Sequence, residues 1–598
     1  MALASTDSAC TATASQPTAV AGTQPLGQRV RMAVFNVQCR VALARFEYRT
    51  RRAIDTNLQA LHQILRRNRD TAFGRTHGFA DILRTGGGLA AAFCRSVPLS
   101  THVEVEPYVA RIAAGEQNVL SADPVLLLAG SGGTTDRPKR IPRTRDTQRH
   151  HTMLVVLAAQ AVVDRGIRGA DGAERGINLM SLYAPPAVTR SSVPQMSGPN
   201  AGIRRVRRHI PQFWCSPEAV FAVAHPPTAL YLHALFALLN QRSLYIETPF
   251  APQVVSWLAL IERHQRRLVD DVRRGTVSAH LELSTAERAA IAAALRADPA
   301  RAADVAAEFA QGFQGIIPRL WPNMKYIRTV TSGSFALSLP RLQWLAGQSV
   351  TIHSGCHAST EGVIGINLRT DGSTDYVLAL GSAFFEFVPI AHVDEAQPQT
   401  VPLDALQVGD EYEVVLTNCA GLCRYRLGDI VRITGHHGTT PTFGFLYRRG
   451  TMLNVVGEKT TEFHTAQALA VTLHDWLGPE DAMRDYSVVA DVAAGVGRYT
   501  FYVELQAHSL LPEADVRRAA TRLDDALGEI NPYYWTNGRA AERLAPAELR
   551  LVEPGTFAAL AELQLQRTGS GYGAQVKIPR VVSSPEHIQL LEGRVLRS

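Results

Sequence analysis

Val125-Leu-Leu-Leu-Ala-Gly-Ser-Gly-Gly-Thr-Thr-Asp-Arg-Pro-Lys139 runs from an apolar strand straight into a loop of glycines and hydroxyls that ends on a lysine. Glycine lets backbone approach a ligand closely, and successive N–H groups with the hydroxyls of Ser131, Thr134 and Thr135 make a cradle for an anion. The spacing is not that of a Walker A loop. A surface turn would not need a buried strand feeding it, so Ser131, Gly132, Gly133, Thr134 and Thr135 read as phosphate-binding residues of an α/β protein. Lys139 strengthens the reading. The chain has 61 basic residues, and only four are lysine: Lys139, Lys325, Lys459 and Lys577. Where arginine serves for generic positive charge, a retained lysine marks a place that needs a thin-stemmed point charge. Lys459 lies in Gly457-Glu-Lys-Thr-Thr-Glu462, and Lys577 follows Gly569-Ser-Gly-Tyr-Gly-Ala-Gln-Val576. Lys325 has the weakest case. The distribution points to a nucleotide enzyme.

Outward from this loop, apolar residues at helical spacing predict helices from about 28 to 70, and the stretch 150–315 is mostly helical. From Tyr326 to Leu368 the pattern turns to strands with Gly and Ser punctuation. Tyr412–Thr417 and Asp429–Thr434 alternate like strands of a half-exposed sheet. Beyond Arg449 come strands near 486–505, a helix near 513–530 and a final βα-like piece. These shifts divide the chain into a large domain over 28–447 and a small one over 448–598. Residues 1–27, rich in Ala, Ser, Thr, Gln and Gly, read as a disordered tail.

Composition removes several classes of function. A chain of 598 residues with 46% hydrophobic and 19% charged residues has ample material for a core. Its net charge is +7, but the basic residues are scattered. The densest cluster, Arg204, Arg205, Arg207, Arg208 and His209, lacks aromatic interleaving and reads as a solvated loop, so no nucleic-acid partner is expected. Seven irregularly spaced cysteines form no disulfide framework and suggest a reducing, cytoplasmic setting. Cys419 and Cys423 have no second pair to make a zinc site. No apolar run is long enough to span a membrane. The arginine- and alanine-heavy composition suggests a GC-rich, bacterial genome. Oligomeric state is not readable.

Two more segments carry chemistry. In His357-Ala-Ser-Thr-Glu361, a hydroxyl followed by a carboxylate suits Mg²⁺ beside phosphates, since this ion takes one or two carboxylates plus water and substrate oxygens. A rival metal triad of His353, His357 and Glu361 would require a helix, against the Ser-Gly-Cys between the histidines. In Cys423-Arg-Tyr-Arg-Leu-Gly-Asp429, a carboxylate after a Gly turn can accept two ribose hydroxyls, or it is simply a turn aspartate.

The order of these pieces resembles the Gretchen Hagen 3 family of acyl acid amido synthetases, within the adenylate-forming superfamily. Further matching stretches are Ile64-Leu-Arg-Arg-Asn68, Phe73-Gly-Arg-Thr-His-Gly-Phe79, Val97-Pro-Leu-Ser-Thr101, Pro107-Tyr-Val-Ala-Arg-Ile112, Leu320-Trp-Pro-Asn-Met-Lys-Tyr326, Tyr425-Arg-Leu-Gly-Asp429, Glu553-Pro-Gly-Thr-Phe557 and Gln575-Val-Lys-Ile-Pro-Arg580. The resemblance implies a firefly-luciferase-like α/β architecture, with a large N-terminal domain of mixed sheets and helices and a small mobile C-terminal α+β domain. It implies ATP and Mg²⁺, and two small-molecule substrates, a carboxylic acid and an amine, the amine being an amino acid. Residue by residue it implies a phosphate loop at Ser131–Thr135 with Lys139, and nucleotide contacts from His357, Ala358, Ser359 and Thr360. Glu361 would hold the metal, Asp429 the ribose, and Arg448 and Arg449 would form the hinge. Lys577 would reach the α-phosphate, and Ser332, Gly333 and Ser334 would line the acyl pocket with the segment 150–185. His357 stands where the family has tyrosine, Asp136 where glycine is common, and Gly133 in place of a hydroxyl residue. An adenylating enzyme with a thiol acceptor (coenzyme A or a carrier protein), or a non-catalytic binding protein on this fold, are the alternatives.

Overall fold

The computed structural model describes residues 26–131, 139–167, 175–180, 187–189, 193–449, 453, 455, 458, 460–476, 483–491, 497–506, 512–540, 543–568 and 578–596. Residues 1–25 of the tail expected over 1–27, the loop residues Gly132–Thr135 with Asp136, and Lys459 and Lys577 lie outside them.

The chain opens with two helices, Leu26–Thr50 and Ala53–Asn68. The first begins two residues before the expected start. A short parallel sheet then forms around the large hydrophobic cluster. Its order is Ile177–Asn178, Tyr245–Phe250, Tyr326–Val330, Thr351–His353. Parallel strands need crossovers, and the helices Ala251–Arg274 and Leu339–Ala346 lie between successive strands of this sheet. Tyr245–Phe250 and Pro194–Ser197 are strands inside the stretch expected to be mostly helical.

The second, larger sheet is antiparallel throughout. Its seven strands run in the order Ala383–Pro389, Glu411–Asn418, Tyr425–His437, Thr440–Arg448, Asp375–Leu378, Val363–Ile366, Cys356–Ala358. The strand Glu411–Asn418 is buried on both faces from Tyr412 on, not half-exposed. Helix Ala53–Asn68 covers one face here: Asn57 donates to the carbonyl of Phe385 (2.9 Å) and accepts from its N–H (2.9 Å). Charged residues on this strand are buried because they are paired, as with Glu413, which receives Arg426 (2.6 Å) and Arg449 (3.1 Å).

One buried polar knot ties this sheet to the helix Leu89–Ser96. The Arg424 guanidinium donates to both oxygens of Glu386 (3.1 and 3.2 Å from Nε), to the carbonyls of Cys94 (2.8 Å) and Val97 (2.9 Å), and to the Thr400 hydroxyl (2.9 Å). Arg424 also takes φ of 45°, a left-handed conformation disfavoured for a residue with a Cβ, and these bonds hold it there.

Beyond Arg449 the chain builds a separate three-stranded sheet, Met483–Asp491, Arg498–Leu505, Glu548–Leu551, antiparallel then parallel. Helices Glu462–Trp476 and Glu513–Ile530 pack on it over their own hydrophobic core. The architecture is α/β: a large part of mixed sheets and helices followed by a small α+β part. The Arg204–His209 cluster is not a loop. It continues the helix Gly198–Val206, which Ser197 caps by accepting from the Asn200 N–H (3.3 Å). Among the described residues no helix is long and apolar enough to cross a membrane.

Candidate functional site

The phosphate-loop candidate springs from a third sheet. Strands Leu127–Ser131 and Lys139–Arg143 pair antiparallel, with Ser131 opposite Lys139. The buried part of the feeding strand starts at Leu127, whereas Leu126 is exposed. Both ends of the loop are therefore tied in register, which fixes Lys139 beside the point where the glycines begin. Four residues on, Arg143 is buried, and burial lowers its guanidinium from its ordinary value while Glu361 opposes the shift.

Glu361 sits at the tip of a hairpin between Cys356–Ala358 and Val363–Ile366, strands rather than the helix a His353, His357, Glu361 triad would need. Ser359 closes the turn: its N–H donates to the Gly362 carbonyl (2.9 Å). Asn418 donates to the carbonyl of Glu361 (2.8 Å). The Glu361 side chain is buried and accepts the Tyr425 hydroxyl. Burial pushes that hydroxyl well above its ordinary value, and the carboxylate adds to the shift.

Asp429 follows Gly428, whose φ of 77° only glycine takes freely, at a register irregularity of its strand pair. It is completely buried. Its Oδ1 accepts from Arg448 Nε (2.6 Å) and its Oδ2 is 3.1 Å from His357 Nε2. Burial alone would raise this carboxyl; the Arg448 guanidinium and the His357 imidazole outweigh it and hold the group below the usual carboxylate range. The sign follows directly. The folded group titrates below its unfolded value of about 3.9, so its contribution is complete above that pH and is lost as the pH falls toward the folded value. Asp429→Asn is expected to flatten the loss of Tm between about pH 5 and pH 3. Calorimetric scans of both proteins check this, and parallel acid profiles would contradict it.

The same histidine stacks on Phe445 (centroids 4.7 Å apart, 27° between planes). Gly333, with φ of 64°, lies against that ring; a Cβ there would meet Phe445 Cε1 at 2.9 Å. Ser332 is buried and accepts from the Tyr376 hydroxyl (3.5 Å). Thus Ser332 and Gly333 adjoin the His357–Phe445 stack. Ser334 lies in the following 3-10 turn. Ala358 is exposed and Thr360 half-buried beside Glu361.

Several residues here were not singled out from sequence. His102 opens the helix His102–Ala113, sits 3.0 Å from Glu106 and shares that carboxylate with Arg140. Burial lowers its imidazole from the ordinary value; Lys139 pushes the same way, and Glu106 and Glu361 oppose. His102 is therefore near enough to feel both the loop lysine and the Glu361 carboxylate. The His/Glu spacing of four on a helix was the available signal. Phe445 had none beyond the alternation of its strand. Chemically, the site offers an aromatic stack beside a buried carboxylate, and a second carboxylate near Lys139, which suits a nucleotide's base, ribose and phosphates in that order.

Family models match the chain in three consecutive pieces: the GH3 family N-terminal domain over residues 42–351, the central domain over 376–448 and the C-terminal domain over 464–586. Indole-3-acetic acid-amido synthetase GH3.5 of Arabidopsis thaliana is 27% identical over 92% of each chain. Indole-3-acetic acid-amido synthetase GH3.8 of Oryza sativa subsp. indica is 29% identical over 90% of each. Among solved structures, the GH3.15 acyl acid amido synthetase superposes with a TM-score of 0.80 at 24% identity, covering 93% of this chain and 96% of that one. A 2-hydroxyisobutyryl-CoA ligase in its postadenylation state shares the fold at a TM-score of 0.52 and 12% identity, covering 90% of this chain and 91% of the ligase.

Proposed function

The chain belongs to the GH3 family, and from that premise we propose that it is an ATP-dependent acyl acid amido synthetase, joining a carboxylic acid to an amino acid or related amine with release of AMP and pyrophosphate. In the first step the acid's carboxylate attacks the α-phosphorus and pyrophosphate leaves. In the second the amine attacks the acyl carbonyl of the mixed anhydride and AMP leaves. The observation that carries the reading is the meeting of Asp429, Arg448, His357 and Phe445 at one buried cluster, whose Arg448 also feels the Glu361 carboxylate.

Each residue has a role in this scheme. The adenine stacks on the His357–Phe445 pair, where a histidine ring replaces the tyrosine the family resemblance leads one to expect. A carboxylate has about four lone-pair directions, so Asp429 can hold the ribose hydroxyls while keeping Arg448. Ala358, Ser359 and Thr360 form the turn beside the α-phosphate. Lys139, the loop Ser131–Thr135 and Lys577 stabilise the charge that develops on the phosphoryl oxygens. Ser332, Gly333 and Ser334 form the wall where the acyl group meets the nucleotide.

Mg²⁺ fits the donor set: one buried carboxylate, Glu361, suits an ion that takes most of its ligands from water and substrate phosphates. When bound it neutralises charge on the leaving pyrophosphate. Arg448 and Arg449 end the large part, and the small part carries Lys577, so a movement between the two would serve both steps.

The deciding experiment is acid-dependent exchange of pyrophosphate into ATP, over aryl, indole and fatty acids without amine. Exchange with one acid names the acyl substrate. Amino acids, other amines and coenzyme A are then offered as acceptors, and thioester in place of amide would overturn the assigned second step. In the same assay His357→Ala is expected to raise the ATP KM about tenfold, through loss of stacking worth roughly 1–1.5 kcal/mol, with kcat little changed. An unaltered KM would remove the base-stacking role.

A further inference from the structure

Lined by none of the residues assigned to the nucleotide, a hollow of about 180 Å³ lies between the helix Leu26–Thr50 and the helix that starts at Arg145. Arg45 and Arg49 reach it from the first helix, Arg149 and His150 from the second, over an apolar floor that includes Phe46 and Leu154. Among the described residues none of the three guanidiniums has an ion pair or a hydrogen bond. The neighbouring acids are already engaged: Glu47 pairs with Arg165 at 2.8 Å, and Asp146 pairs with Arg67. Elsewhere in the chain the buried Arg424 and Arg426 are held by carboxylates.

Gathering like charge about a hollow is costly, and the cost grows over an apolar floor where the effective dielectric falls. Burial and the neighbouring Arg45 lower the Arg49 guanidinium from its ordinary value; burial and Arg49 do the same to His150, with Arg149 adding and Asp146 opposing. The backbone also makes room for this charge. Arg49 lies against Gly381, where a Cβ would sit 2.9 Å from its NH1. A fold that opens space for an unpaired guanidinium beside two others and an imidazole lacks only the anion.

We propose that this hollow binds a small multivalent oxyanion, of phosphate or polycarboxylate chemistry. Its volume is that of about six water molecules, which admits inorganic phosphate, pyrophosphate or a compact tricarboxylate and excludes a nucleotide. The guanidiniums supply paired donors for such oxygens, and His150 adds one more.

The test is calorimetric titration of the full chain with orthophosphate, pyrophosphate and citrate, each in the presence of saturating ATP so that the nucleotide site is filled. The variant for comparison is R45A/R149A, which alters exposed residues outside the catalytic machinery. Wild type is expected to bind at least one probe with Kd below about 1 mM, and the double variant to bind it at least roughly tenfold more weakly, with unchanged Tm and unchanged exchange activity. Response to the phosphates identifies a phosphate ligand, and response to citrate alone a polycarboxylate. Equal binding by both proteins, or no binding of any probe, would overturn the proposal.

Discussion

Glu361→Gln is expected to lower acid-dependent pyrophosphate exchange by roughly two to three orders of magnitude, the scale of removing several kcal/mol of transition-state charge stabilisation. Glutamine keeps the length of the side chain and an acceptor for the Tyr425 hydroxyl, so the hairpin tip should persist. What it removes is the negative charge. Arg143 and Arg448 both interact with Glu361, and neither can substitute for it, because each carries the sign a divalent cation repels. The ATP KM should move much less than the rate, since base and ribose contacts lie at His357, Phe445 and Asp429. Titration with magnesium should show a raised half-saturating concentration. Exchange within threefold of wild type would take Glu361 out of the metal role.

The second large effect is on stability. Glu386→Ala is expected to cost about 3–5 kcal/mol, the usual consequence of stripping one partner from a buried ion pair. The residual Arg424 would be left buried, with its contacts to the Cys94 and Val97 carbonyls but without its charge partner. Its left-handed backbone would also lose its main restraint. Because Tyr425 is the next residue, the damage should reach the site: the variant should show weakened exchange as well as an earlier urea midpoint. A midpoint shift equivalent to less than about 1 kcal/mol would show that the knot is better solvated than its burial indicates.

Much of the site was legible because the chemistry is local. Glycines, hydroxyls and a lone lysine in one short run announce an anion cradle. A Gly-Asp step leading into a strand announces an aimed carboxylate. Long-range pairing is what the sequence concealed. Glu413 looks like a solvent-facing charge on an alternating strand, Tyr412–Thr417, and that alternation suggested a half-exposed sheet. Its charge partners Arg426 and Arg449 lie 13 and 36 positions away, and only the fold cancels the charges. Tyr245–Phe250 escaped notice because a short strand in a parallel sheet has no alternation to distinguish it from the helices around it. The Arg204–His209 cluster was mistaken for loop because its charge is conspicuous, whereas the Ser197 cap and Pro199 that start its helix are not.

The pairing of Ser131 with Lys139 bears on how the protein can tolerate changes in chain length. Residues added or removed between those two positions alter only the span of the cradle, since the hairpin still brings its ends together and the closure cost rises slowly with length. One residue added within Lys139–Arg143 is a different event. It would exchange the two faces of the strand, moving Arg143 to the opposite face, which is also buried here, and bringing a neighbour of opposite facing into its place. Insertions and deletions among natural or engineered variants should therefore accumulate inside the loop and stop abruptly at Lys139.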